Sequence, residues 1–126
     1  MSIVIDKDVA LGALSGVIEK FGADHVYDSE GLAGCWYTAL DQNGNLEPAC
    51  IVGQALWGLG VDPEVIENLN EPGIITCDDN RTTLQSAGIV VSDAAYNVLR
   101  EAQRVQDQGG TWGEALEAAQ VGYQVV

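Results

Sequence analysis

The stretch of sequence that decides the fold is SDAAYNVLREAQRVQDQGG, residues 92–110. Its apolar side chains recur three and four positions apart, the spacing of one face of an α-helix; they are Ala95, Val98, Leu99, Ala102 and Val105. Ser92 can cap the first turn, and Gly109-Gly110 is a natural stop. We therefore predict that the longest helix of the chain lies here, with one face buried.

The residues after this helix predict a final helix. Thr111-Trp112-Gly113-Glu114 has the pattern of a capping box, in which the Glu114 side chain reaches back to the Thr111 amide. The helix would continue through Leu116 and Ala119. Because Trp112 opens it, we predict that the indole folds back on the preceding helix and is largely buried.

Two further helices are predicted in the first half of the chain. One begins at Asp6 or Asp8, carries apolar residues at helical spacing from Val9 to Phe21, and stops at Gly22. The other begins with Pro48 as its first residue and runs to Leu59. It contains Gly53 and Gly58, each of which costs roughly 1 kcal/mol relative to alanine. That cost predicts a close approach of another backbone at both glycines.

Two short helices are predicted between the helix that ends at Leu59 and the helix that Ser92 caps. Asp62-Pro63-Glu64 combines a cap, a first-position proline and an early acid, and it predicts a helix ending before Pro72. A brief extended piece is expected at residues 74–76. Asp79 is the predicted cap of a further helix that ends at Gly88.

One β-hairpin completes the prediction. Residues 35–40 are rich in aromatic and β-favouring types, and Asn43-Gly44 is a strong hairpin signal. Pro48 limits the return strand to two or three residues. The expected fold class is mainly α: a compact single domain over residues 1–126, with five or six helices and one small β-hairpin.

Charge is the unusual property of the composition. Nineteen acids and five bases give a net charge of −14. Residues 21–80 hold eleven of the acids and neither a lysine nor an arginine. A field of this sign repels nucleic acid and anionic membranes and attracts basic proteins. We therefore expect a basic protein partner, without direct nucleic-acid binding or membrane association.

The location of the protein is predicted from its termini and cysteines. No apolar run approaches the ~20 residues needed to cross a bilayer, and the first residues do not resemble a signal peptide. The three cysteines are Cys35, Cys50 and Cys77. An odd number without an export signal predicts reduced thiols in the cytoplasm.

A metal or catalytic site would have to use His25 with Cys35, Cys50 and Cys77. Structural zinc is normally bound by pairs of ligands two to four residues apart, and no such pair is present. A pair of His25 with Cys35 or Cys50 is geometrically possible for nucleophilic catalysis, but packed cysteines are the more common finding. We predict no catalytic residue, no metal and no cofactor.

A calcium loop is also excluded. Asp41, Asn43 and Asn45 have the spacing of its first ligands, but Leu46 and Val52 stand where glycine and glutamate are required. The hairpin turn explains these residues better.

The predicted partner-binding residues are Glu64, Glu67, Glu71 and Asp78. The three glutamates follow one another at i, i+3 and i+7, so on a helix they would form a single acidic stripe. The alternative is that the charge only keeps the protein soluble.

Two segments carry a family resemblance. Cys35-Trp36-Tyr37 is followed by Pro48-Ala49-Cys50-Ile51-Val52-Gly53, and Gln106-Asp107-Gln108-Gly109 is followed by Trp112. Together they resemble a family of short uncharacterised proteins from actinobacteria and their phages. The resemblance implies a cytoplasmic accessory protein encoded by a phage.

Three functions from different classes follow from these patterns. The leading one is a small acidic accessory protein, not an enzyme, that binds a basic protein partner, with nucleic-acid mimicry or inhibition as specific forms. The alternative is a phage structural or assembly component. The third is a small enzyme or metal protein that uses Cys35, Cys50 and His25. The oligomeric state is left open.

Overall fold

A computed structural model describes residues 3–27, 36–69 and 74–125, with side chains described as far as Val121. The strands are β1 (Ile3–Ile5), β2 (Thr38–Leu40), β3 (Leu46–Pro48) and β4 (Ile89–Val91). The helices are α1 (Lys7–Phe21), α2 (Ile51–Gly58), α3 (Pro63–Glu67), α4 (Asp78–Ser86), α5 (Asp93–Asp107) and α6 (Trp112–Val125). The mainly α prediction is confirmed.

Helix α5 lies at the centre of the molecule because its apolar face packs against α1, α2 and α6. Four of its five predicted core residues, Ala95, Val98, Leu99 and Ala102, are fully buried, and Val105 is half-buried. Ser92 caps it as predicted, since the hydroxyl accepts a hydrogen bond from the Ala95 amide at 3.1 Å. The periodicity of residues 92–110 therefore does determine the core.

Two buried glutamines of α5 were not predicted as part of that core. The Gln106 side-chain oxygen accepts a hydrogen bond from the Ile51 amide at 2.7 Å, at the start of α2. The Gln103 oxygen accepts one from the Ile75 amide at 2.9 Å, and its amide group donates to the Tyr37 hydroxyl at 3.1 Å. These side chains satisfy backbone groups that would otherwise be buried without partners, so they fix α2 and the turn before α4 onto α5.

Helix α1 begins and ends where the sequence predicts. The Asp6 carboxylate accepts a hydrogen bond from the Val9 amide at 2.8 Å, and Gly22 adopts a φ of 95° after the last turn. Positive φ is the conformation that only glycine adopts without cost. Ahead of the helix, β1 pairs in parallel with β4, with Val4 opposite Val90. Three-residue strands give too little periodicity to be predicted, and this pair was missed.

The hairpin is confirmed, including a return strand that ends at Pro48. β2 pairs antiparallel with β3, with Leu40 opposite Leu46, so five residues connect them. The Asp41 carboxylate accepts hydrogen bonds from the Asn43 and Asn45 amides at 2.8 and 3.0 Å, and Gly44 has a φ of 81°. Asp41 is thus occupied in shaping the turn.

Helix α2 shows one wrong boundary and one confirmed contact. Pro48 is the last residue of β3, and the helix cap is Cys50, so the prediction of Pro48 as the first helical residue is wrong. A Cβ on Gly53 would overlap the Tyr37 carbonyl oxygen, which confirms a close backbone approach there. No atom lies within 4 Å of a Cβ built on Gly58, so the same prediction is wrong for Gly58.

The two short helices also differ in detail. Asp62 caps α3 as expected, accepting a hydrogen bond from the Glu64 amide at 2.9 Å. Helix α4, however, is capped by Cys77, and Asp79 lies in its first turn. The preceding residues Ile75 and Thr76 form a turn and not the expected extended piece.

The capping box of α6 is confirmed. The Thr111 amide donates to the Glu114 carboxylate at 2.9 Å, and the Glu114 amide donates to the Thr111 hydroxyl at 3.1 Å. Hydrogen bonding to the carboxylate, first from the Thr111 backbone amide and then from the Thr111 side chain, lowers the pKa of the Glu114 carboxyl. Trp112 is 1% exposed, which confirms its predicted burial.

The cysteines contradict the prediction of reduced thiols. Cys77 is free, but Cys50 is disulfide-bonded. Cys35, the third cysteine of the chain, lies outside the described residues. Disulfides persist in oxidising compartments and are rare in the cytoplasm, so the odd count was a poor guide to redox state.

We expect reduction of the oxidised protein to lower its free energy of unfolding substantially. A disulfide typically contributes about 2–4 kcal/mol, mainly by restricting the unfolded chain. Urea denaturation with and without a phosphine reductant measures the effect, and Cys77→Ala should leave it unchanged. Identical transitions in the two conditions would show that the disulfide does not stabilise the fold.

Candidate binding surfaces

The structure describes His25, Cys50 and Cys77 of the predicted metal or catalytic alternative, and it does not gather these three into a metal site. Cys35 lies outside the described residues. His25 packs its ring 4.3 Å from the Trp112 ring and 5.3 Å from the Phe21 ring, measured between centroids. Cys50 is fully buried and its sulfur is held in the disulfide, so it has no thiol to ionise. Across residues 3–27, 36–69 and 74–125, no three histidine, cysteine, aspartate or glutamate side chains converge as metal ligands.

The predicted acidic stripe is only partly present. Glu64 and Glu67 are both exposed on α3, and Asp78 is exposed in the first turn of α4. Helix α3 ends at Glu67, so it cannot carry a stripe of three glutamates. Glu71 lies outside the described residues. The prediction of one helical stripe is therefore wrong, and the described acids belong to two different helices.

The acids of residues 21–80 are nevertheless unneutralised in the described part of the chain. The ion pairs there are Lys7–Asp8, Arg81–Asp93 and Arg104–Glu101, and their acids all lie outside this block. Glu64, Glu67 and Asp78 are therefore exposed and form no ion pair within the described residues. Their charge is available to a partner.

A groove between α1 and α2 is the feature that the sequence did not reveal. Its volume is about 610 Å³. Gly12 and Gly16, one turn apart on α1, line it, and a Cβ built on either meets no atom within 4 Å. The other lining residues are mainly apolar: Val9, Ala13, Val17, Lys20, Phe21, Pro48, Gln54, Trp57, Gly58 and Leu59. The signal in the sequence was the Gly-x-x-x-Gly spacing inside an amphipathic helix.

The groove has both a fixed wall and acidic neighbours. The Gln54 side-chain amide donates to the Pro48 carbonyl at 2.9 Å, which ties α2 to the end of the hairpin. Asp8, Glu19 and Glu47 are exposed, and each directly precedes a residue that lines the groove. Lys20 is the charged residue among the lining, so negative charge reaches the groove from these neighbours and from the net charge of −14.

A second cavity, of about 560 Å³, lies between the turn before α4, α4 itself and the first two turns of α5. It is lined by Thr76, Arg81, Asp93, Ala94, Tyr96, Asn97 and Arg100. The Arg81 guanidinium lies over the Tyr96 ring, 4.2 Å from its centroid. Burial raises the pKa of the Tyr96 hydroxyl, and the positive charge of Arg81 partly opposes that rise.

Comparison with family models, curated proteins and solved structures finds no match for this chain. Of the helices that the structure describes, none has the length and apolar character needed to span a membrane.

Proposed function

We propose that the protein is a non-enzymatic accessory protein that binds a basic protein partner, and that the α1/α2 groove receives an amphipathic helix of that partner. The observation that carries the proposal is the open, glycine-containing groove. The resemblance described above further supports a phage-encoded protein. The disulfide at Cys50 favours an oxidising compartment as the location of the protein. Binding of a helix in the groove does not depend on which compartment this is.

The shape of the groove favours a helix as its occupant. Gly12 and Gly16 lie one turn apart, so the surface between them has no side chains to hold a second backbone away. Phe21 and Trp57 supply aromatic surface beside this gap, and both are half-buried. Apolar side chains spaced at i, i+3, i+4 and i+7 on a partner helix can occupy such a groove.

The charge favours a basic occupant. The protein carries a net charge of −14, and the exposed Asp8, Glu19 and Glu47 adjoin residues of the groove in the chain. Lysine and arginine on the solvent side of a bound helix would meet this field. Charges around an interface mainly increase the rate of association, whereas the apolar surface buried in the complex mainly determines how slowly the partner dissociates. Glu64, Glu67 and Asp78 would contribute to the first effect.

The catalytic alternative finds little support at the two of its residues that the structure describes, Cys50 and His25. The Cys50 sulfur is in a disulfide, and a nucleophile would need a free thiolate. The His25 ring packs against the rings of both Phe21 and Trp112. These observations favour a binding function.

We expect Gly16→Leu to abolish binding of a helical peptide made of leucine on one face and lysine on the other. The leucine side chain would fill the groove that the peptide needs. Stability should not fall, because the added side chain enters open space and leucine favours a helix by about 0.5–1 kcal/mol over glycine. Fluorescence anisotropy of a labelled peptide measures affinity, and thermal unfolding measures stability.

Ser15→Leu is the matched control, since Ser15 is the exposed neighbour of Gly16 on α1 and does not line the groove. It should retain the affinity of the unmodified protein. A peptide with glutamate in place of lysine tests the charge requirement and should not bind. Equal affinity of the two variants would show that the groove is not the interface.

A further inference from the structure

Two of the five basic residues in this acidic chain, Arg81 and Arg100, line the same cavity between α4 and α5. We propose that this cavity binds a small molecule through an anionic oxygen group, a phosphate or a carboxylate, held by these two guanidinium groups. This site is separate from the α1/α2 groove, and the two share no lining residue.

Arg81 is held in place before any ligand arrives. Its Nε donates to the Thr76 carbonyl at 3.0 Å, and its guanidinium stacks on the largely buried Tyr96 ring. A planar guanidinium fixed in this way loses little side-chain freedom when it binds an anion. Its nearest acid is Asp93, whose carboxylate is fully exposed and 3.8 Å from Nη1. Such a pair is weak and is easily exchanged for a ligand.

Arg100 supplies donors from the other lining helix, two turns beyond Asp93 on α5. Its Nη2 donates to the Asn97 side-chain oxygen at 3.1 Å. Among residues 3–27, 36–69 and 74–125, its Nε and Nη1 have no hydrogen-bond partner, and neither has the Tyr96 hydroxyl. The cavity therefore presents two cations, one carboxylate and a phenol, which is a net positive lining on a protein of net charge −14.

Arg104 is a surface arginine of α5 with which Arg100 can be compared. It lies one turn beyond Arg100, does not line the cavity, and directs Nε and Nη2 at the Glu101 carboxylate, at 3.0 and 3.5 Å. The contacts with Tyr96 and Asp93 could by themselves account for Arg81, but nothing comparable accounts for Arg100. Guanidinium groups bind the oxygens of a phosphate or carboxylate well, and two of them line this cavity.

The cavity has the size of a small-molecule site. Its volume of about 560 Å³ lies within the range of roughly 300–1,000 Å³ that is typical of ligand pockets. The ring of Tyr96 and the methyl group of Ala94 give it some apolar surface. The ligand class is therefore an organic anion with a compact apolar part, and not an inorganic ion alone.

The test is an NMR titration with pyrophosphate, phenyl phosphate and benzoate, each at constant ionic strength, on the full chain and on two variants. We expect saturable amide shifts at residues 76, 81, 94, 96, 97 and 100. Phenyl phosphate should bind more tightly than pyrophosphate if the apolar lining contributes, and its comparison with benzoate distinguishes phosphate from carboxylate. Arg100→Gln should weaken binding about tenfold or more, since it removes charged donors.

Arg104→Gln removes the same charge one turn away and should change affinity by about twofold or less, because exposed charges at that distance are screened. Equal weakening by the two variants would show that anions respond only to net charge and would overturn the proposal. Shifts that are absent, that do not saturate, or that lie outside the cavity would overturn it as well. Failure here leaves the groove proposal intact, since neither arginine lines the groove.

Discussion

Replacing Gly53 by alanine is expected to cost about 3 kcal/mol or more of folding free energy, because the added methyl group must displace backbone and not a flexible side chain. A Cβ at this position would overlap the Tyr37 carbonyl oxygen and lie 2.9 Å from the carbonyl carbon. That carbonyl accepts a hydrogen bond from the Ala49 amide at 3.1 Å, so it cannot move without loosening the end of the hairpin. Urea denaturation followed by circular dichroism measures the loss.

Gly58→Ala is the matched control for this prediction. Gly58 is the last residue of the same helix, and a Cβ there meets no atom within 4 Å. We expect this variant to be neutral or more stable by up to about 1 kcal/mol, from helix propensity alone. If the two variants lose similar amounts of folding free energy, the contact with Tyr37 is not the cause of the loss at Gly53. The loss would then come from replacing any glycine of α2.

Trp112→Ala is the second variant with a large expected effect, a loss of about 3–5 kcal/mol, the usual cost of removing a large buried aromatic ring. The ring is 1% exposed and meets Phe21 edge-on, with centroids 5.1 Å apart. The Trp112 amide also donates to the His25 carbonyl at 2.8 Å, which places the ring at the junction of α6 with the end of α1. Thermal and urea unfolding give the loss.

Trp112→Phe is the control that separates ring burial from the indole nitrogen. Within the described residues, the buried Nε1 of Trp112 has no hydrogen-bond partner, so removing it sacrifices no bond. The phenylalanine variant should therefore retain most of the stability that alanine loses. An alanine variant with the melting temperature of the unmodified protein would show instead that Trp112 contributes little to folding.

The sequence predicts those features of the fold that depend on local periodicity and capping. The apolar face of α5 and the capping box at Thr111 are examples, because each is encoded within four to fifteen neighbouring residues. The close approach at Gly53 was also predictable, since a glycine inside a helix needs a reason. Gly58 shows the limit of that argument: it ends α2 beside an open groove, where a glycine is tolerated for a different reason.

What the sequence did not reveal depends on contacts between distant segments. Gln103 and Gln106 look like polar surface residues, but their partners lie 28 and 55 residues away in the chain. The pairing of β1 with β4 joins strands too short to have a pattern. The groove and the arginine cavity each need two elements to come together, and neither was predicted. Glu64, Glu67 and Asp78 are exposed, but a helical stripe that included Glu71 required a longer α3 than the chain forms.

The central claim is that a basic amphipathic helix binds in the α1/α2 groove. The most direct measurement is a map of amide chemical-shift changes in the full chain during titration with the leucine–lysine helical peptide, at low and at moderate salt. We predict that the largest changes occur around Gly12, Gly16 and Trp57, that they saturate, and that salt weakens binding without changing their location. Changes concentrated at Glu64, Glu67 and Asp78, with none in the groove, would contradict the claim and place the interface on the acids of α3 and α4.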